Sequence, residues 1–254
     1  MNNINYDLHI HTEHCGHAKG TTVEKILQRA DEMNLQTICI ADHIYSPKEM
    51  SIPAKIKEQV NAAPNTKCRI LVGAEIDVNG LYFDGRLVCP IPENLDYIIA
   101  GVHFIPGPGH YPWKIEDNTI GPDAFLERYH STLAGVLSND QIDALAHPAR
   151  MPGTALNLDV YFDAVLEILR DVAPLAAKNK ILWEINEHDK DKAPPEYHDK
   201  WYKIYEIALE AGVKLVYGSD AHFVDEIGRI EFVSKVLEKL PKGCLNEGID
   251  FKIR

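Results

Sequence analysis

Apolar runs of strand length recur along the chain, and between them the spacing of apolar positions changes to a helical one. The runs are NYDLHI (5–10), QTICIA (36–41), RILVGAEI (69–76), DYIIAGV (96–102), IDALA (142–146), ILWEIN (181–186) and VKLVYG (213–218). Short bounded runs of this kind predict strands, and the stretches between most of them predict amphipathic helices. Val23, Ile26, Leu27, Ala30 and Met33 share one helical face, as do Phe162, Val165, Leu166 and Leu169. EAGV at 210–213 is a helix stop just before a strand. Two intervals depart from the pattern: 77–95 reads as a short hairpin or loop, and 104–121 as a Pro/Gly-rich loop. Strand then helix, repeated seven times, predicts an α/β fold whose parallel sheet closes into a barrel. At 254 residues the chain is long for one ordinary core, and a barrel makes a single domain of that size, over 1–254.

Composition narrows the function classes. The net charge of −12 disfavours non-specific binding to nucleic acid or to anionic membranes, so neither is expected as a partner. No apolar run is long enough to cross a bilayer, and the opening MNNINYDLHI lacks the basic flank and apolar core of a secretory signal. Five cysteines (Cys15, Cys39, Cys68, Cys89, Cys244) are scattered without a CxxC pair, which favours a reducing cytoplasm over a disulfide framework. The oligomeric state is not legible. The twelve histidines are the unusual feature.

Placed on the strand map, these histidines gather with carboxylates at the C-terminal ends of the strands. The first strand runs into His9 and His11, the second ends in Asp42 and His43, and the third carries Glu75 and Asp77. The fourth leads to His103, the fifth to His147, the sixth carries Glu184 and Asn186, and the seventh leads to Asp220 and His222. In barrels of this kind that rim is where active sites are built. Residues two apart on a strand face the same side, and His9 and His11 meet that test. A single histidine at a strand end is more often a hydrogen-bonded core or surface residue than a ligand. The coincidence across every strand is what points to metal. Imidazoles with a minority of carboxylates suit zinc, manganese or iron. The donors exceed what one ion of about four to six positions can use, so a multinuclear centre with a bridging carboxylate is expected.

In order along residues 7 to 222, DLHIHT, ADH, GAEIDV, GVHF, AHP, EIN and GSDAH resemble the motif series of the PHP (polymerase and histidinol phosphatase) superfamily. The resemblance implies a distorted seven-stranded (β/α)7 barrel with three divalent metal ions (Zn, Mn or Fe) at the C-terminal rim. Carried over, it gives one ion His9, His11, Glu75 and Asp220, and a second Glu75 as bridge with His103 and His147. A third would take His17, His43 and His222. Glu75, His103 and Asp220 are then the residues expected to carry the chemistry. Stand-alone phosphatases of that family, histidinol-phosphate phosphatases among them, are of similar length. The activity so implied is hydrolysis of a small phosphate monoester, histidinol phosphate-like or a nucleotide phosphate, by a metal-activated hydroxide. After EIN the chain departs from the family pattern: EHDKDKAPPEYHDK stands where a Gly- and basic-containing stretch is usual.

A phosphate also wants a guanidinium fork. Arg150, three residues past His147, is the first candidate, with a surface salt bridge as the competing reading; Lys19 and Arg229 follow. Tyr111 and Trp113 are placed either to cover an organic moiety or to pin their loop. Glu184 and Asn186 are expected to orient ligands from behind. His14 reads as a loop residue, Cys15 as a small loop residue open to oxidation, and His110, His130, His188 and His198 as ordinary histidines. The charge run 187–192 reads as a solvated loop. Two other classes are weighed. An amidohydrolase-like hydrolase of a C–N or ester bond usually has fewer ligands and a lysine bridging its metals, and no strand here offers a rim lysine. A non-catalytic accessory module would be expected to have lost ligands, and no ligand position is missing.

Overall fold

A computed structural model describes residues 4–64, 66–103, 122–150, 158–193 and 195–246. Each expected apolar run contains a strand. The elements are β1 (Tyr6–Ile10), α1 (Val23–Glu32), β2 (Thr37–Ile40), β3 (His43–Ile44), α2 (Ile52–Ala62), β4 (Arg69–Asp77), β5 (Tyr97–Gly101) and α3 (Pro122–Leu137). There follow β6 (Ala144–Leu145), α4 (Leu158–Asn179), β7 (Leu182–Asn186), α5 (Asp189–Lys192), α6 (Tyr202–Glu210), β8 (Leu215–Gly218) and α7 (Glu231–Leu237).

Neighbouring strands run parallel in the order β1-β2-β4-β5-β6-β7-β8. β3 also pairs with β4, as the continuation of the second run past a break at Ala41 and Asp42. A parallel bridge joins Ile10 to Ala221, and Asp220 N donates to His9 O at 2.8 Å. The first strand therefore meets the outgoing end of the last. The sheet is a nearly closed barrel of seven parallel strands, as the sequence predicts.

Helices bury their apolar faces against this sheet. On α1 these are Val23, Ile26, Leu27 and Ala30, while Met33 falls at the C-cap and is exposed. The Thr22 hydroxyl caps the helix start by accepting from Lys25 N. On α4, Phe162, Val165, Leu166 and Leu169 are all buried. The interval after β4 carries a hairpin, marked by an antiparallel bridge from Val78 to Leu87. It lies so close on α3 that a Cβ at Gly135 would stand 1.8 Å from Asp84 O, which only glycine permits. Among the described residues no helix is long and apolar enough to cross a membrane.

The charge run 187–192 is no solvated loop. Glu187 is buried and accepts from Phe232 N (2.8 Å) and Val233 N (2.9 Å), filling donors that the start of α7 leaves open. Asp189 is buried too, and accepts from the Trp201 indole at 3.1 Å.

The seam between β1 and β8 depends on one more buried carboxylate. Asp7 Oδ1 accepts from Ser219 N at 2.9 Å and His9 N at 3.3 Å, and Oδ2 accepts from Gly228 N at 3.0 Å. Asp7→Ala would leave these amides without an acceptor. At about 1–3 kcal/mol for each buried donor left unmade, the variant is expected to lose about 3 kcal/mol or more in urea unfolding. An unchanged midpoint and slope would show that the seam closes without it.

Candidate metal centre

Strand register assembles the donors. His43 on β3 stands opposite Glu75 on β4, and Asp77, two residues on, faces the same side as Glu75. The β4–β5 register sets Asp77 beside Gly101, and the chain leaving β5 brings His103 back, its Nδ1 donating to Asp77 Oδ1 at 2.6 Å. His147 and Asp220 lie just past β6 and β8 with φ of 32° and 56°. Side-chain-bearing residues seldom adopt this left-handed backbone, and strain of this kind is characteristic of functional sites.

Glu75 is the hub and is fully buried. Its Oε2 lies 2.6 Å from His43 Nδ1, 3.3 Å from His9 Nε2 and 3.7 Å from His11 Nε2. Its Oε1 lies 3.1 Å from His147 Nε2 and 3.5 Å from His103 Nε2. Asp220 is the second centre, with Oδ1 at 3.0 Å from His11 Nε2 and 3.9 Å from His9 Nε2. His17, His43 and His222 close the outer side, the His17 ring centroid lying 5.1 Å from that of His43 and 4.6 Å from that of His222. All the expected donors thus meet in one cluster. Sets whose donor atoms lie within 4.8 Å of one another include His9–His11–Asp220, His11–His43–Glu75, His43–Asp77–His103 and His17–His43–His222.

The cluster fits divalent cations. His9 Nε2, His11 Nδ1 and Asp77 Oδ2 are buried without a hydrogen-bond partner among the described residues. Buried polar atoms are normally satisfied, so such a concentration in one cluster asks for a further partner. Imidazole nitrogens with carboxylate oxygens are the donors that zinc, manganese and iron accept. Behind them, Glu184 Oε1 accepts from His9 Nδ1 at 2.8 Å, as Asp77 does from His103. An ionised carboxylate only accepts, so each fixes the proton on Nδ1 and aims Nε2 at Glu75. Glu184 Oε2 further accepts from His147 N and Asn186 Nδ2, so Glu184 and Asn186 do stand behind the donors.

Electrostatics follow from this crowding. Burial pushes His9 towards its neutral form, but Glu184, Glu75 and Asp220 outweigh it and hold it well above the ordinary histidine value. Burial acts likewise on His103, and Asp77 and Glu75 carry it up to about 9. Burial takes His43 and His147 down to about 4, against Glu75 in the first case and with Arg150 in the second. Burial raises Glu75, but His43, His103 and His9 hold it well below the usual carboxylate range.

Arg150 is at the site but is neither a free fork nor a surface pair. Its Nη1 donates to Asp220 Oδ2 at 2.7 Å, Nη2 to Asn186 Oδ1 at 2.8 Å and Nε to Asp189 Oδ1 at 3.1 Å. Lys19 is exposed on the turn beyond His17, and Arg229 pairs with Asp225 at the surface. His14 meets Gln59 in an exposed contact, His130 pairs with Asp171, and His198 faces Ala193 O. His110, Tyr111 and Trp113 lie outside the described residues. One neighbour escaped the sequence reading, and one read there as an ordinary histidine stands beside the cluster. Tyr45 stacks on His43 with centroids 4.6 Å apart, and His188 stands edge-on to His222 at 5.8 Å. For Tyr45 a signal existed, since it lies two residues past His43.

The PHP domain family model matches residues 7–188. A probable phosphatase of Clostridium acetobutylicum is 29% identical, the alignment covering 97% of this chain and 91% of that protein. A probable phosphatase of Vibrio parahaemolyticus is 27% identical, covering 92% and 84%. Among solved structures, the histidinol phosphate phosphatase of Lactococcus lactis, complexed with zinc, L-histidinol and phosphate, is similar with a TM-score of 0.60 at 16% identity, covering 93% of both chains. At that identity the likeness is one of fold.

Two outcomes are expected of this geometry. Cations must displace the protons that His9 and His103 hold at neutral pH, whereas His43 and His147 are already neutral. The affinity of the metal-stripped chain for Zn²⁺, read by competition with a chromogenic chelator, should therefore rise between pH 6 and 8 by about tenfold per unit for each proton displaced. A flat profile would contradict the raised values. Arg150→Ala removes the cation from two buried carboxylates, Asp220 and Asp189, and is expected to cost about 3–5 kcal/mol in urea unfolding. A loss below about 1 kcal/mol, the size of an exposed pair, would show the network to be dispensable.

Proposed function

The chain belongs to the PHP domain family, and on that premise we propose that it is a metal-dependent phosphatase that hydrolyses a small phosphate monoester at the cluster around Glu75. The names of the Clostridium and Vibrio relatives support phosphate release. The zinc, L-histidinol and phosphate held by the Lactococcus enzyme support a small ester, of which a histidinol phosphate-like compound or a nucleotide phosphate are the first to try. The observation that carries the reading is Glu75 itself, one buried carboxylate whose two oxygens are approached by five imidazoles from four strand ends.

Up to three ions would be held: by His9, His11, Glu75 and Asp220; by Glu75, His103 and His147; and by His17, His43 and His222. Bound divalent cations neutralise phosphate charge and lower the pKa of a water, which is the chemistry such an ester needs. The protein's own part is positional. Glu184 and Asp77 keep the Nε2 atoms of His9 and His103 turned inward, and Arg150 keeps Asp220 ionised and in place. A guanidinium has five N–H groups, and the acceptors that hold Arg150 leave at least one for a phosphate oxygen. Lys19, two residues past His17, adds positive charge near the rim. The whole chain, 1–254, is read as one such domain, and its five free cysteines suit a reducing cytoplasm.

The test is phosphate release from L-histidinol phosphate, nucleotide 3′,5′-bisphosphates and an aryl phosphate, with Mn²⁺ or Zn²⁺ and with chelator. Release should require metal, fall by at least about hundredfold in Glu75→Gln and His103→Ala, and fall by about 10–100-fold in Asp77→Asn, whose carboxylate orients His103. No release from any ester, by protein shown to carry its metals, would overturn the reading.

A further inference from the structure

Cys15 stands nearer the histidine cluster than its place in a loop implies. It ends a single turn of 3₁₀ helix, Glu13–Cys15, capped by the Thr12 hydroxyl, and Gly16 follows with φ of 85°. That left-handed residue reverses the chain between Cys15 and His17, so one short loop delivers both a thiol and an imidazole to the outer side of the barrel mouth. The sulfur, a ring nitrogen of His11 and a ring nitrogen of His222 all lie within 4.8 Å of one another.

His222 has the donor to give, and His11 lines the same spot. His11 is fully buried; Asp220 meets its Nε2, and its Nδ1 has no hydrogen-bond partner among the described residues. His222 Nδ1 lies 2.9 Å from Asp220 O, a carbonyl that can only accept. The proton is therefore on Nδ1, and the lone pair of His222 is on Nε2. A sulfur and two imidazole nitrogens within a few ångströms of one another form a soft donor set, distinct in chemistry from the carboxylate-centred sets around Glu75 and Asp220.

We propose that Cys15 is a sulfur ligand to a thiophilic divalent cation on the outer edge of the cluster, the ion that His222 would hold with His17 and His43. The proposal rests on the reading of that cluster as a metal centre. Binding forms a sulfur–metal bond and sends the thiol proton to solvent, with no change of oxidation state. Burial holds the free thiol up at about 11, against the backbone amides of His17 and Ala18, which favour its ionised form. A bound cation favours the thiolate, which is the form that ligates. A sulfur donor also biases this edge towards Zn²⁺, Co²⁺ or Cd²⁺ and away from Mg²⁺.

The test uses the full chain, stripped and reloaded with Co²⁺, with bound cobalt counted by elemental analysis and the near-ultraviolet absorption recorded. A sulfur-to-cobalt charge-transfer band is expected in the wild type, lost in Cys15→Ser and in His222→Ala, and kept in Cys244→Ser. Cobalt bound without that band in the wild type overturns the sulfur ligand while leaving the metal centre standing. A chain that takes up no cobalt overturns both. Because a variant could fail to fold, the wild type alone supplies a second readout. Alkylation of Cys15 by iodoacetamide, followed by peptide mass, should slow at least about tenfold when Zn²⁺ is present. Labelling at the same rate with and without Zn²⁺ counts against the proposal.

Discussion

A carboxylate taken wholly out of water must be met by positive charge or by donors, and the mouth of this barrel is organised by that demand. Glu75 is its centre. Five imidazoles approach its two oxygens, and Asp220, Asp77, Glu184 and Asp42 are buried close by. Without cations the protein balances these acids with protons on His9 and His103 and with the guanidinium of Arg150. Metal ions would take over from those protons without any donor having to travel, because Glu184 and Asp77 already turn the inward nitrogens towards Glu75.

The same demand reaches outward through Arg150. Trp201 donates to Asp189, Asp189 accepts from Arg150, and Arg150 donates to Asp220. A core indole is thereby linked to a residue at the centre of the donor cluster by hydrogen bonds alone. Asp220 needs such support, since its backbone is left-handed and its amide reaches across the seam to His9 O. Further down the same seam, Asp7 gathers three amides from β1 and the chain beyond β8. Closing the barrel and placing its donors are therefore one problem, solved by carboxylates at successive depths along β1 and β8.

Much of this was legible in the sequence for a simple reason. Strands buried on both faces read as continuous apolar runs, and the side chains that follow them stand on one rim whatever the details of the loops. The donors from His9 to His222 could be found by that rule alone, except His17, which lies in a loop and enters only through the family resemblance. What stayed hidden depends on partners distant in sequence. The second run breaks into β2 and β3, and it is the second piece that brings His43 opposite Glu75. Arg150 looks available in the sequence because nothing near it reveals Asp189 and Asn186. The charge run at 187–192 alternates in sign as a solvated segment does, yet Glu187 and Asp189 are buried against the start of α7 and against Arg150. Nor does the hairpin after β4 announce that it will lie on Gly135 of α3.

The segment after EIN, where the chain departs from the family pattern, is tied in the structure to Arg150. A basic side chain usual in that stretch would carry positive charge on the loop following β7. Here that loop forms α5 and contributes an acid, Asp189, which holds a guanidinium delivered from the loop following β6. Positive charge stands beside Asp220, supplied from the loop following β6. If phosphate binds where this reading puts it, the demand for a nearby cation is met without the usual stretch. Beside the outer donors stand His188, edge-on to His222, and α5, in which acids and lysines alternate. Within one barrel, then, Asp220 and the guanidinium that supports it are delivered by different loops, and the acid that holds that guanidinium comes from a third.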